Sequence, residues 1–348
     1  AWRVEPPAAA DDLLAWYRAN ARDLPWRRTT DPYAIWVSEV MLQQTQVATV
    51  VDYYQRFLTA FPSPAALAAA PLEQVLAVWQ GLGYYRRARA LHAAAQVVAE
   101  AGGMLPQDRD GWLALPGIGD YTAGAVASIA HGERVPAVDG NVERVLSRLL
   151  ALPGDPRDGQ PGRILRAAAA DLVPASAPGD WNQALMELGA RICTPVPDCA
   201  ACPVAAHCRA LADGEPTRYP ERRPAKPPRE RLHVVAIVER DGLLLLGRRP
   251  AHGRWGGLWE LPRVELEPEA DAAAGLASGL GEALGVTVTV GPELARLRHA
   301  VSGERILLVG YRADVADEPH GPAYEAYCWS RPEALPMPQW QRRLLALA

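Results

Sequence analysis

Lysine is almost missing from this chain: of its 36 basic residues only Lys226 is a lysine, and the other 35 are arginines. Chemistry that needs a side-chain amine, a Schiff base above all, has that one residue to draw on. Phenylalanine is scarce too, at two residues, while alanine abounds; both biases point to genome composition, so arginine abundance is not read as function. No apolar run approaches a membrane span, and Ala1-Trp2-Arg3-Val4 lacks a signal-peptide pattern, which makes a cytosolic location with no membrane partner the default expectation. The net charge of −4, divided evenly about residue 230, excludes a uniformly basic surface. Any nucleic-acid contact must therefore use local positive patches. What is present, 348 residues with 49% hydrophobic and 22% charged, suits two globular domains, each able to bury a core.

The most informative stretch runs from Leu115 to Asn141. Leu115-Pro116-Gly117-Ile118-Gly119-Asp120-Tyr121-Thr122 leads into an Ala-rich helical run, and a short loop then reaches Ala137-Val138-Asp139-Gly140-Asn141. Two glycines around one apolar residue make a tight turn, with Asp120 the expected N-cap of the next helix. Amides left unpaired at such a corner suit a phosphate. Gly-x-Gly alone supports no more than a helix-to-helix connection whose glycines serve packing; its company decides.

Before this corner, residues 9–22 read as a helix, and Tyr33 to Phe61 reads as helical throughout. Glu39 lies there among Val37, Val40, Met41 and Leu42, where a carboxylate is costly unless paired or used. Placing it on the wet face of an amphipathic helix is the simpler reading. Further helices are expected at Pro71–Gln80, Tyr84–Ala101, Val142–Leu150, Pro161–Leu172 and Trp181–Ile192, so everything to residue 211 reads all-α. Tyr84-Tyr85-Arg86-Arg87-Ala88-Arg89 mixes aromatics with guanidinium groups, a pairing that grips a phosphate backbone and stacks on bases, although a solvated helix face looks similar.

Cys193, Cys199, Cys202 and Cys208 fall within sixteen residues. In a cytosolic chain that density reads as a metal site rather than disulfides. Zinc and a four-iron cluster both accept four thiolates; the lack of zinc-ribbon spacing favours iron-sulfur. Cys328 stands alone and reads as a core thiol. Five prolines between Gly214 and Arg229, with Arg222, Arg223 and Lys226, make a stiff basic linker. Beyond it, strand-like runs at 233–238, 243–246, 286–290, 306–311 and 326–330, with helices at 271–284 and 339–347, give an α+β domain.

The helical half resembles the helix-hairpin-helix, iron-sulfur DNA glycosylases, and in particular the MutY-type adenine DNA glycosylases. Ser38-Glu39-Val40-Met41-Leu42-Gln43-Gln44-Thr45, Gly81-Leu82-Gly83-Tyr84-Tyr85, Leu115 to Gly119, Asp139-Gly140-Asn141 and the cysteine quartet carry the likeness, in family order. It implies an all-α glycosylase domain over residues 1–212 with its iron-sulfur loop at 193–208, a linker at 213–230, and a Nudix-like α+β domain over 231–348. The implied activity is base excision repair: adenine mispaired with 8-oxoguanine or guanine is flipped out of duplex DNA and its N-glycosidic bond hydrolysed, leaving an abasic site. The same chemistry needs an acid for the departing base and an anion under the developing oxocarbenium ion.

By resemblance Glu39 is the acid for adenine N7 and Asp139 the anion, with Asn141 and Tyr121 placing the groups. Gln44 is the wedge, Tyr84 intercalates, and Leu42 and Thr45 meet the 8-oxoguanine side. Trp26, Arg27 and Gln183 form the adenine pocket, and Gly117 and Gly119 hold the DNA backbone. Cys193, Cys199, Cys202 and Cys208 ligate a structural [4Fe-4S] cluster. Relatives that cut the backbone carry a lysine where Tyr121 stands, so a monofunctional enzyme, acting as a monomer, is implied.

Two departures stand out: five residues rather than the usual six separate the first two cysteines, and the loop that reads 8-oxoguanine, usually Phe-Ser-His, is Val301-Ser302-Gly303, retaining only Ser302. The second domain shows its likeness through Leu246 to Pro250 and Trp255 to Pro262, but Asp271 to Gly285 offers only Asp271 and Glu282 for magnesium, against nucleotide hydrolysis. The rival readings are a thymine-mismatch or oxidised-pyrimidine glycosylase, which has no need of Glu39, and a non-catalytic DNA-binding module.

Overall fold

The computed structural model describes residues 6–224, 227–253, 255–301 and 303–348. Lys226 and Ser302 lie outside the described residues. Two compact units are formed, one by residues up to Ala69 with Ala90–Pro224, the other by Ala70–Arg89 with the residues beyond the linker.

The first half of the chain supplies helices α1 (Pro6–Asn20), α2 (Pro32–Leu42), α3 (Val47–Ala60), α4 (Pro64–Ala69), α5 (Leu72–Trp79) and α6 (Arg86–Glu100). After these come α7 (Arg109–Leu113), α8 (Asp120–His131), α9 (Gly140–Leu149), α10 (Gly159–Leu172), α11 (Pro178–Arg191) and α12 (Arg209–Ala212). Asp31 starts α2 by accepting the Tyr33 amide at 3.0 Å, with Pro32 at the first helical position, where its missing N–H costs nothing. Every residue from Tyr33 to Met41 is buried, so Glu39 has no wet face to occupy. The single helix expected over 33–61 is broken at Gln43–Gln46. A helix buried on all sides has to stop where the chain surfaces, and three glutamines mark that point; Gln44 turns the chain with φ 57°.

The corner before α8 also departs from expectation. Gly119, extended at φ −104° and ψ 176°, is the N-cap and no side chain caps this end. Asp120 is already helical, and its carboxylate turns to Arg109 at 2.6 Å. Gly117 is needed twice over: φ is +73°, and a Cβ would lie 2.4 Å from that of Ala90. At Gly119 an added Cβ meets nothing within 4 Å.

In the second unit, β1 (Arg229–Ile237), β2 (Glu239–Arg240), β3 (Leu243–Arg248), β4 (Trp259–Glu260) and β5 (Arg263–Leu266) precede α13 (Ala272–Leu284). β6 (Val288–Val301), β7 (Glu304–Val315), β8 (Ala326–Ser330) and α14 (Gln339–Leu345) complete it. One sheet has the order β5-β1-β7-β6 with β1 and β7 parallel; the other places β3 between β4 and β2, with β8 on β3. Alternation along β1 divides the core. Leu232 and Val234 pack with Leu276 and Leu280 of α13, while Val235 and Ile237 pack with Trp340 and Leu344 of α14. Residues 70–89 belong to this unit: Trp259 donates its indole N–H to Glu73 at 2.8 Å, and Arg89 donates to the carbonyls of Gly253 and Gly256.

Candidate active site

The first unit gathers an acid, a phenol and a second carboxylate from three distant parts of the chain. Glu39, on α2, is 5% exposed, and the Tyr121 hydroxyl, from the first turn of α8, donates to its Oε2 at 2.5 Å. Burial drives the Glu39 carboxyl up to about 7; the Tyr121 bond opposes this, the Asp139 charge adds to it, and Arg27 offsets part. The Asp139 charge thus reaches the Glu39 carboxyl. The phenol of Tyr121 is itself pushed well above its ordinary value by burial and the two carboxylates, so it stays a donor. Met186 Sδ, on α11, lies 3.6 Å from the same hydroxyl.

Asp139 is the N-cap of α9. Its Oδ1 accepts the amides of Asn141 at 2.9 Å and Val142 at 2.7 Å, and its Oδ2 accepts Asn141 Nδ2 at 2.9 Å. Burial raises its carboxyl all the same; those bonds and Arg144 pull the other way. An N-cap role by itself would place an aspartate here, but such caps are ordinarily wet and need no second carboxylate beside them. Arg144, one turn along, donates to Asn141 Oδ1 and to the Gly189 carbonyl, both at 2.8 Å, and to the Cys193 carbonyl at 2.8 Å.

Close backbone approach makes the convergence possible. A Cβ on Gly124 of α8 would lie 2.1 Å from the Pro136 carbonyl oxygen, and one on Gly189 of α11 would lie 2.6 Å from Asn141 Cβ. Asn182, 1% exposed on α11, ties down the same loop by accepting the Ala137 amide at 3.0 Å and donating to the Val135 carbonyl at 2.9 Å. Sequence reading missed Asn182, Arg144, Met186 and these two glycines. Only Asn182 left a signal, a polar residue within the apolar spacing Trp181, Ala184, Leu185, Leu188.

The other sequence candidates take varied places. Trp26 is buried edge-on against Tyr54, with ring centroids 5.4 Å apart. Arg27 is half-buried and bound to Glu187 at 2.8 Å. Gln183 is half-buried on α11, beside Asn182. Leu42 ends α2, Thr45 is half-buried in the turn that follows, and Gln44 is exposed there in its left-handed conformation. Tyr84, in the second unit, is 47% exposed with φ 49°.

Cys193, Cys199, Cys202 and Cys208 line one cavity. Among the described residues no group of three or more His, Cys, Asp or Glu is placed to hold a single metal ion. The fit is instead to a larger soft group that all four thiols face. Burial raises the Cys202 thiol to about 11 and that of Cys208 in the same direction, and neighbouring cysteines add to both. Crowded thiolates of this kind are sustained by a cation or cluster. Arg148, 3% exposed, braces the loop through Cys193 Sγ at 3.3 Å and the carbonyls of Thr194 at 2.6 Å and Pro195 at 3.1 Å.

Comparison with known proteins agrees with both halves. The HhH-GPD superfamily of base excision DNA repair proteins matches residues 37–169, and the NUDIX domain matches residues 233–347. The chain is 42% identical over 321 residues to the adenine DNA glycosylase of Homo sapiens, covering 76% of this chain and 59% of that protein. It therefore spans about three-fifths of the length of that relative. To the adenine DNA glycosylase of Mycolicibacterium smegmatis it is 44% identical over 215 residues, 61% of this chain and 72% of that one. A solved thermostable thymine-DNA glycosylase is similar over 59% of this chain and 95% of its own, with 30% identity and a TM-score of 0.53. Fold and site together define the class, a helical base excision repair module followed by a NUDIX domain. Within that class, the chain belongs to the adenine DNA glycosylase family.

Proposed function

We propose that this protein is a monofunctional adenine DNA glycosylase that excises adenine paired with 8-oxoguanine or guanine and leaves an abasic site. The reading rests on the Glu39 carboxyl, buried, bound by Tyr121 and raised to about 7, so that about half of it carries a proton at neutral pH. Glu39 delivers that proton to N7 of the flipped adenine, weakening the glycosidic bond. As the bond breaks, positive charge builds on the sugar and is met by the Asp139 carboxylate, whose ionised form is held by the two α9 amides, Asn141 and Arg144. Water then completes hydrolysis. Tyr121 stands at the corner where strand-cutting relatives carry a lysine, so that position offers no amine for a Schiff base. A [4Fe-4S] cluster on Cys193, Cys199, Cys202 and Cys208 would pin the 193–208 loop and takes no part in bond cleavage.

The backbone of duplex DNA would be held at the Gly117–Gly119 corner, where the first amides of α8 lack helical partners. Ser302 is the remaining side chain of the family's 8-oxoguanine-reading loop, and this reading gives it that role. A single-turnover assay over adenine paired with 8-oxoguanine, guanine and thymine, beside a thymine·guanine duplex, tests the proposal. The expected order is fastest for adenine·8-oxoguanine and no cleavage of thymine, with Glu39→Gln losing roughly a hundredfold to ten-thousandfold in rate while still binding DNA. Turnover retained by Glu39→Gln, or strand breaks before alkali, would remove the mechanism.

A further inference from the structure

Glu187 is a buried charge to which the excision chemistry gives no task. It stands on α11 between Met186 and Leu188, on a helix packed against α1, α8 and α9, and its side chain has no exposure to solvent. A carboxylate so enclosed is costly unless charged donors meet it. Its Oε1 accepts Arg22 Nε at 2.8 Å and the Arg22 amide at 3.3 Å; its Oε2 accepts Arg22 Nη2 at 2.7 Å and Arg27 Nη2 at 2.8 Å. Arg191, one turn along α11, approaches at 3.5 Å. The other arm of the Arg27 fork, Nη1, donates to the Arg22 carbonyl at 3.0 Å, and its guanidinium lies over the Tyr17 ring, 5.4 Å from the centroid. Glu187 thus fixes the corner at residues 22–27, which also carries Trp26.

Where Arg27 is held gives this consequence. The turn at Pro25–Arg27 packs against α2, the helix of Glu39, and the Arg27 charge reaches the Glu39 carboxyl and works against its burial. Tyr121 on α8 and Asp139 at the head of α9 also act on that carboxyl; from α3, packed on the same helix, Tyr54 lies edge-on to Trp26. A positive charge near a proton donor draws the proton off. A guanidinium stays charged at every working pH, so in a buried place its reach is limited by a counter-charge. Glu187 supplies one. Held down to about 2 by Arg22 and Arg27, it is ionised throughout the range in which Glu39 changes state. Because Arg22 shares it, less of that negative charge is left to Arg27.

We infer that Glu187 is a positioning residue for excision, resting on the catalytic reading of Glu39 above: it fixes Arg27 beside the acid and offsets the positive charge that would otherwise act on Glu39 in full.

The test compares the full chain with Glu187→Gln, Glu187→Asp and Arg22→Gln, each checked for a cooperative thermal transition. Two readouts are followed across pH. One is the titration midpoint of the Glu39 carboxyl by carboxyl-carbon NMR of glutamate-labelled protein, its signal identified by its loss in Glu39→Gln. The other is the single-turnover rate on an adenine·8-oxoguanine duplex. Glu187→Gln should lower the midpoint by roughly half to one pH unit and carry the alkaline limb of the rate down with it. That costs roughly threefold to tenfold at about pH 7.5 and less than about twofold near pH 5.5. Arg22→Gln should move both readouts upward by roughly half a unit or less. Glu187→Asp, which keeps the charge, should leave the midpoint near that of the parent.

A purely structural role would lower stability, or the rate at all pH values alike, with no shift of midpoint. The Arg22 side chain is 36% exposed, so Arg22→Gln carries the test if Glu187→Gln does not fold. Unmoved midpoints, or shifts of the same sign in Glu187→Gln and Arg22→Gln, would overturn the inference. A parent chain that leaves adenine in place, or a Glu39→Gln variant that still removes it, ends the catalytic reading whatever the midpoints do. Fixed midpoints beside an inactive Glu39→Gln end only the role given to Glu187.

Discussion

Two buried glutamates in the first unit, Glu39 on α2 and Glu187 on α11, show how partners rather than burial decide what a carboxylate does. Neither is more than 5% exposed. Glu187 is met by Arg22 at 2.7 and 2.8 Å and by Arg27 at 2.8 Å; burial works to raise its carboxyl, and the two arginines overcome it, to about 2. Glu39 has a phenol as its hydrogen-bond partner and a neighbouring carboxylate, with only a lesser pull from Arg27, and burial wins, to about 7. The first is a fixed anion that ties α11 to the segment after α1. The second is a proton store at neutral pH.

The largest effect should come from disturbing the fixed anion. Glu187→Gln leaves Arg27 and Arg22, both half-buried, without their counter-charge, and about 2–4 kcal/mol of stability should go, discounted for the exposure of Arg22. Chemical denaturation at pH 7 measures this, and a loss under 1 kcal/mol would show that the arginines find other acceptors.

The two residues should also oppose each other in their pH dependence. A carboxyl lowered to about 2 contributes stability that is present above its unfolded value near 4.5 and lost as pH falls toward 2. One raised to about 7 is least costly below 4.5 and progressively destabilises the fold as pH rises to 7. Glu39→Gln should accordingly stabilise the protein at pH 8 by roughly 1–3 kcal/mol, with the gain vanishing near pH 4.5. Thermal melts across that range decide it; a gain that does not vary with pH would mean Glu39 is not the group that titrates.

A smaller effect is expected at Tyr121. Its hydroxyl favours the ionised form of Glu39, so Tyr121→Phe should carry the alkaline limb of the single-turnover rate upward by roughly one pH unit or less. A downward shift would place the phenol on the neutral form instead. The smallest change to the fold belongs to Gly119→Ala, where the new methyl meets nothing in the protein. Its thermal transition should match the parent while duplex affinity falls, whereas Gly117→Ala should lose about 1–3 kcal/mol from the Ala90 clash and the positive φ. Equal melting and equal affinity for Gly119→Ala would argue against a backbone ligand at that corner.

Much of this was readable in the residues. The all-α first part and the longer strands of the second unit follow from periodicity and turn chemistry, whereas Glu39 and Asp139 are singled out by the family resemblance, periodicity having placed Glu39 on a wet helix face. What escaped was set by contacts across the chain. The break at Gln43–Gln46 arises because α2 is enclosed on every side, which its apolar text does not distinguish from an amphipathic continuation. The short strands at 259–260 and 263–266 are defined by pairing with β3 and β1 rather than by their own alternation. Arg144 and Glu187 gain their meaning from partners far away in sequence, Gly189 and Cys193 for one, Arg22 and Arg27 for the other.

Gln44 turns its corner in a conformation that suits glycine, at a cost on the order of 1 kcal/mol. Glycine there would relax the backbone and make the resting protein sturdier. A long polar side chain nonetheless occupies this exposed bend. Were Gln44 the wedge that the family resemblance implies, this small permanent tension would sit where a base is to be pushed aside.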